Sequence, residues 1–198
     1  MTNFALVVAA TEELGIGLLS GLPWRIPRDM AFFKHVTTHV PEGLSAKKNA
    51  VIMGRVTWES IPPKFRPLSD RFNIIVSRNP SYDMQLTDAE DRSTVLVSNM
   101  EDAFVEAEKQ SAGRVFVIGG AQIYKIAIKH AKCTHIVLTR VRSKVDCDTF
   151  FPEISDEEFR LATHEELEAY VDQPVPKGVQ THKDLQYEFT MYVRKKYM

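Results

Sequence analysis

Six short apolar runs constrain this chain more than any other feature. Phe4–Ala10, Asn49–Gly54, Phe72–Val76, Thr94–Val97, Arg114–Ile118 and His135–Val141 are nearly unbroken and rich in Val and Ile. A strand with one face in water alternates apolar and polar residues, so an unbroken apolar run of strand length is covered on both faces. Helical stretches separate the runs: a short one that includes Asp29, another over Arg55–Ser60, a third down to about Gln110, and a fourth from Gly120 through Tyr124 to about His130. Ser98 and Glu101 have the S-x-x-E spacing of a capping box for the third. The last third of the chain reads differently, with a short strand at Phe159–Thr163, a polar loop over Asp172–His182, and alternation from Gln186 to Arg194 that puts Tyr187, Phe189, Met191 and Val193 on one side. That alternation suits an antiparallel strand near a sheet edge. The expected fold is α/β: a mixed, mostly parallel central sheet of about eight strands, its C-terminal strand antiparallel, with helices on both faces.

The 198 residues suffice for one good core, and residues 1–198 read as a single domain. Lys and Arg total 25 against 26 Asp and Glu, a net charge of -1, so no surface for nucleic acid is advertised. Cys133 and Cys147 lack metal-ligand or disulfide spacing and read as reduced thiols. Phe4–Ala10 has no basic flank and runs into Glu12 and Glu13, unlike a signal peptide. No apolar run approaches the ~20 residues of a membrane span. A soluble, cytoplasmic protein is expected.

Between the first two runs, Gly15–Val36 passes from a glycine-punctuated loop through Leu22-Pro23-Trp24 into a helix that opens with one carboxylate, Asp29. Helical spacing puts Asp29 on the face of Phe32, Phe33 and Val36. It is either a helix cap, which Pro27 just before it favours, or a recognition group in an apolar cleft with an altered pKa. From local spacing the cap is the plainer choice.

Ligands of open parallel sheets bind at the carboxyl ends of strands, and three such junctions stand out. Ile118-Gly119-Gly120-Ala121 lets backbone approach a phosphate at a helix start, although a glycine pair alone also serves as a plain tight turn. Gly54-Arg55-Val56-Thr57 repeats the strand–glycine–helix order with cationic and hydroxyl donors, and two such junctions suggest a pyrophosphate. Ser77-Arg78 closes a third run and is either a clamp for a further phosphate or a solvated arginine. No G-x-G-x-x-G, P-loop or G-x-S-x-G is present. The one H-x-x-x-H pair, His35/His39, reads as surface histidines at the exposed end of a short helix, and no metal site is expected.

Leu22-Pro23-Trp24 with Asp29 and Phe33 behind it, Val51–Arg55, Thr57–Pro62, Arg66-Pro67-Leu68, Arg71, Ser77-Arg78, Ile118–Gly120, Tyr124, Thr139 and Asp148–Glu153 follow one another in an order that resembles the dihydrofolate reductase family over nearly the whole chain. The Arg-Pro-Leu and DTFFPE blocks resemble its eukaryotic members most, with a lean towards fungal ones. The resemblance implies an NADPH-dependent oxidoreductase that reduces 7,8-dihydrofolate to tetrahydrofolate by hydride transfer to pterin C6 with protonation of N5, supplies one-carbon metabolism, is inhibited by antifolates and works as a monomer. It makes Asp29 the site acid on the pterin N3 and 2-amino edge, with Thr139 supporting it and Trp24 helping to hold a water. Val8, Ala9, Leu22, Met30, Phe33, Ile61, Leu68 and Ile118 would line the folate pocket, Arg71 would pair with the glutamate α-carboxylate, and Tyr124 would lie beside the nicotinamide. On the cofactor side it implies Ala10, Ile16, Gly17, Gly54, Arg55, Val56, Thr57, Ser77, Arg78, Ile118, Gly119, Gly120, Ala121, Gln122 and Ile123. The glycine-rich segment Glu12–Gly21 is a candidate lid.

Two departures stand against the eukaryotic pattern: Asp29 where glutamate is usual, and Val56 where a longer polar residue is common. A related pterin or flavin-precursor reductase is the alternative within enzymes, but it would not need both Asp29 and Arg71. A non-catalytic dinucleotide- or RNA-binding protein is the alternative outside them, and the near-neutral charge disfavours RNA.

Overall fold

The computed structural model describes residues 2–87 and 91–196. In chain order the elements are β1 (Phe4–Thr11), β2 (Gly15–Gly17), α1 (Pro27–Thr38), β3 (Asn49–Gly54), α2 (Arg55–Ser60), β4 (Arg71–Val76), β5 (Thr94–Val97), α3 (Met100–Lys109), β6 (Val115–Val117), α4 (Ala121–Ala127), β7 (Cys133–Val141), β8 (Thr149–Phe150), β9 (Phe159–Leu161), α5 (His164–Val171), β10 (Gln180–His182) and β11 (Leu185–Arg194). The main sheet runs β10-β11-β7-β1-β6-β3-β4-β5, with β9 pairing to β11 beside that path. From β7 to β5 every neighbour is parallel. Strand β11 is antiparallel to β7, β10 and β9. The mixed, mostly parallel sheet expected from the apolar runs is what forms.

Period-2 geometry sends alternate residues of each strand into two cores, one on each face. Phe4, Leu6, Val8 and Ala10 of β1 pack with Met100, Phe104 and Ala107 of α3 and Tyr124 of α4. Ala5 and Val7 face the other side, against Phe32 and Val36 of α1, Trp58 of α2, and Leu167 and Val171 of α5. Tyr187, Phe189, Met191 and Val193 all join this second core, as their alternation predicts.

Several expectations shift. Helix α3 is capped one residue later than Ser98: the Asn99 side chain accepts from the Asp102 N–H at 2.8 Å, which starts the helix at Met100 and turns Met100, Ala103, Phe104 and Ala107 inwards. Helix α4 ends at Ala127 rather than near His130, and β7 begins earlier, at Cys133. Strand β9 stops at Leu161 because Thr163 leaves to cap α5: its hydroxyl accepts from Glu166 N at 3.1 Å and its own N–H donates to the Glu166 carboxylate at 3.2 Å. The supposed polar loop ends in the short edge strand β10, while β11 lies next to that edge and is antiparallel, as its alternation predicts. His35 and His39 are half-buried rather than exposed: the rings stack 5.1 Å apart, with His35 Nε2 2.7 Å from Val171 O and His39 Nε2 2.9 Å from Asp172 Oδ2.

Candidate active site

A cleft of about 1980 Å³ opens at the carboxyl ends of β1, β3, β4 and β6. Small-molecule pockets are usually ~300–1,000 Å³, so this one has room for two ligands side by side. Its charged lining is Lys34, Arg55, Lys64, Arg71 and Arg78 against Asp29 and Glu101, a positive balance in a chain of net charge -1. Anionic ligands fit it.

One half lies between α1 and β7. Pro27 starts α1 where a missing N–H costs nothing, but the residue at the N-cap is Ile26, and no side chain caps the helix. The cap reading of Asp29 is therefore overturned. Its Oδ1 instead accepts from the Thr139 hydroxyl at 2.6 Å, a partner brought in by the β1–β7 register, which sets Ala9 beside Thr139. Burial disfavours the charged carboxylate and raises its pKa to about 6, against the lowering effect of the Thr139 bond.

Val8, Ala9, Met30, Phe33, Ile61, Leu68 and Ile118 line this half, together with Leu22, which is 57% exposed at the rim. Arg71 reaches the cleft although only 4% exposed. Its Nε donates to Ser69 O at 2.7 Å and its Nη1 to Thr37 Oγ1 at 2.9 Å. Burial lowers its pKa, and Asp70 nearby opposes that. Trp24 is buried behind the wall, and its indole N–H has no partner among the described residues.

The other half is built on the two glycine junctions, which touch. Gly54 N–H donates to Gly119 O at 2.8 Å, joining the β3–α2 and β6–α4 turns. Gly119 has φ +128°, and a Cβ there would lie 3.1 Å from Thr57 Oγ1. Neither α2 nor α4 has a side-chain cap, so the first-turn amides of both remain available. Arg55, Val56, Thr57, Ala121, Gln122, Ile123, Ser77 and Arg78 all line this half. Arg78 is exposed, while Ser77 is buried, its Oγ accepting from Asn79 N at 3.2 Å. Tyr124 sits where the halves meet: its ring is buried and its hydroxyl donates to Val7 O at 2.7 Å.

The Glu12–Gly21 segment flanks the cleft through Ile16, Gly17, Ser20 and Gly21. It is tied down: β2 pairs with β8, Leu19 N–H donates to Asp148 Oδ2 at 3.0 Å, and Phe151 N–H donates to Leu14 O at 2.7 Å. A side chain on Gly15 would meet Cys147 at 2.6 Å.

Of the residues predicted for the site, Ala10, Trp24 and Thr139 are off the cleft wall: Ala10 in the core, Thr139 behind Asp29. Sequence reasoning missed Lys34 and Lys64, and also Ser98, Asn99, Met100 and Glu101. The last four stand at the β5–α3 junction, where the same carboxyl-end rule applies.

A sequence profile described as dihydrofolate reductase matches residues 3–183. The dihydrofolate reductase of Pneumocystis carinii is 38% identical over 97% of this chain and 97% of its own length. That of Schistosoma mansoni is 41% identical over 94% of this chain and 93% of its own. The chain spans only about a third of the bifunctional dihydrofolate reductase-thymidylate synthase of Glycine max, being 38% identical over 97% of this chain and 34% of that protein. A solved structure of Schistosoma mansoni dihydrofolate reductase superposes with a TM-score of 0.76 at 37% identity, covering 97% of this chain and 98% of that one.

Proposed function

The chain belongs to the dihydrofolate reductase family, and from that premise we propose that it reduces 7,8-dihydrofolate with NADPH through the residues of this cleft. The observation that carries the reading is Asp29: a carboxylate in the apolar half, held by Thr139, with its pKa near 6. A donor–acceptor edge such as the pterin N3 and 2-amino group satisfies such a carboxylate, which would otherwise be costly to bury.

The other half fits NADPH. Uncapped first turns of α2 and α4 offer amides to a pyrophosphate, the space a Cβ at Gly119 would fill stays open, and Ser77 with Arg78 offers a hydroxyl and a guanidinium to the 2′-phosphate. Bound there, NADPH supplies the hydride for pterin C6.

The chain's own residues do the rest. Asp29 binds and orients the pterin and, with a pKa within about a unit of neutrality, exchanges protons at working pH. Thr139 fixes which carboxylate oxygen faces the ligand. Trp24, whose N–H finds no acceptor among the described residues, suits a water in the same network, on the path by which N5 gains its proton. Arg71 presents a buried guanidinium to the α-carboxylate of the glutamate tail. Leu22, Met30, Phe33, Ile61 and Leu68 exclude water from the ring.

We extend the reading to a cytoplasmic monomer of one domain, residues 1–198, that binds antifolates at the same site and needs no nucleic acid. Two unpaired cysteines support a reducing compartment. Among the described residues no helix is long and apolar enough to cross a membrane.

Asp29→Asn tests the assignment. NADPH binding should stay intact while turnover at neutral pH falls by ~10²–10⁴, with partial recovery at low pH where the substrate arrives protonated. Near-normal turnover at neutral pH would sink it.

A further inference from the structure

Helix α1 carries Asp29 in its first turn and Thr37 in its last. Eight residues separate them, a rise of about 12 Å at 1.5 Å per residue. Thr37 is fully buried, 0% exposed. Its hydroxyl donates back to Phe33 O at 2.8 Å and accepts from Arg71 Nη1 at 2.9 Å. The helix end beneath it is pinned: Asn49, also fully buried, donates from Nδ2 to Thr37 O and His39 O at 3.1 and 2.8 Å. Its Oδ1 accepts from Arg114 N at 2.8 Å.

Arg71 is thus held at two points, by Ser69 O on Nε and by Thr37 on Nη1. A guanidinium is planar, so two in-plane bonds fix both its position and its rotation. The rest of its donors have no protein partner among the described residues, and the residue lines the cleft. A carboxylate accepts two parallel bonds only from a fork aimed in its plane.

We propose that Thr37 is a positioning residue for the substrate's tail, aiming Arg71 and tying it to the helix that carries Asp29, so that one rigid element sets the spacing between the two polar ends of the ligand. The proposal rests on the role given to Arg71 above.

Thr37→Val keeps the shape and removes the hydroxyl, whereas Thr37→Ser keeps the hydroxyl. In Thr37→Val the KM for dihydrofolate should rise about tenfold, ~1.4 kcal/mol, with kcat changed by less than about twofold. Binding of a pteridine without the glutamate tail, and of NADPH, should not move. Thr37→Ser should stay within about twofold of the parent in KM. In an Arg71→Leu background Thr37→Val should add nothing, since the bond it removes is already gone. An unchanged KM, equal losses for tailed and tail-less ligands, or an additive effect on Arg71→Leu would each overturn the proposal. Should Thr37→Val not fold, Thr37→Ala is read by the same outcomes. If Arg71→Leu itself leaves the preference for tailed ligands intact, the role of Arg71 fails. If Arg71→Leu removes that preference and Thr37→Val does not, Arg71 stands and the role of Thr37 falls.

Discussion

Between α1 and β7 the polar groups of the cleft are buried side chains, each held by another part of the protein: Asp29 by Thr139, Arg71 by Thr37 and Ser69. Between β3 and β6 the cleft offers uncapped backbone at two glycine turns, with exposed Arg55 and Arg78 around it. The first half is preorganised by side chains, and each pays for its burial: Asp29 in a raised pKa, Arg71 in a lowered one. On the proposed reading the second half would hold an anion through main chain that no substitution removes and through cations that solvent screens. Substitutions should therefore act sharply and ligand-selectively in the first half, and in the second by steric entry or by salt.

The largest effect expected is the loss of turnover in Asp29→Asn. Next comes Arg71→Leu, which should weaken folate binding by on the order of 2–5 kcal/mol, as when one partner of a buried charge pair is removed, and leave tail-less pteridines untouched. Equilibrium titration with both ligand classes decides it, and equal losses would erase the contrast between the halves.

The same carboxylate should cost stability. With a folded pKa near 6 against an ordinary 3.8, the native state holds the extra proton between those values. Stability therefore falls as pH rises through that window, and the cost is complete above about pH 6. Asp29→Asn should be more stable than the parent at pH 8 by on the order of 3 kcal/mol and no more stable at pH 3. Denaturant melts at the two pH values check this, and a parent that gains stability from pH 4 to 6 relative to the variant would reverse the sign.

Gly119→Ala comes after these, at about 1–3 kcal/mol of stability from a side chain at φ +128°, with weaker NADPH binding because the added carbon also presses on Thr57 Oγ1 at 3.1 Å. Calorimetric titration and a thermal melt report the two losses separately. Smallest should be Arg78→Gln. NADPH affinity should drop about tenfold, ~1.4 kcal/mol, NADH affinity should hold, and the salt dependence of NADPH binding should flatten. A drop shared by both cofactors would take the 2′-phosphate away from Arg78.

Most of the sheet was legible because strands covered on both faces leave continuous apolar runs. What escaped was short, polar or peripheral. Strand β10 has only Gln180, Thr181 and His182 to show, and α5 is only eight residues long, its start marked by the capping-box spacing of Thr163 and Glu166 alone. In the site, the glycine junctions could be read locally because glycine before a helix has local meaning. The partner of Asp29 could not: Thr139 stands 110 residues away and reaches it only through strand register. Thr37 was hidden likewise, since a threonine late in an amphipathic helix looks like any other until Arg71 comes to rest against it.

The pairing of β2 with β8 also bears on the order in which the molecule can be made. Phe4–Thr11 and Gly15–Gly17 leave the ribosome long before their neighbours Cys133–Val141 and Thr149–Phe150. Contacts so distant along the chain close last. Until residue 139 has been synthesised Asp29 lacks Thr139, and until residue 151 has been the segment beside the cleft lacks its clamp. A chain that stops short of residue 151 therefore has no finished site, and on the proposed function dihydrofolate can help to stabilise only a chain that already carries β7 and β8.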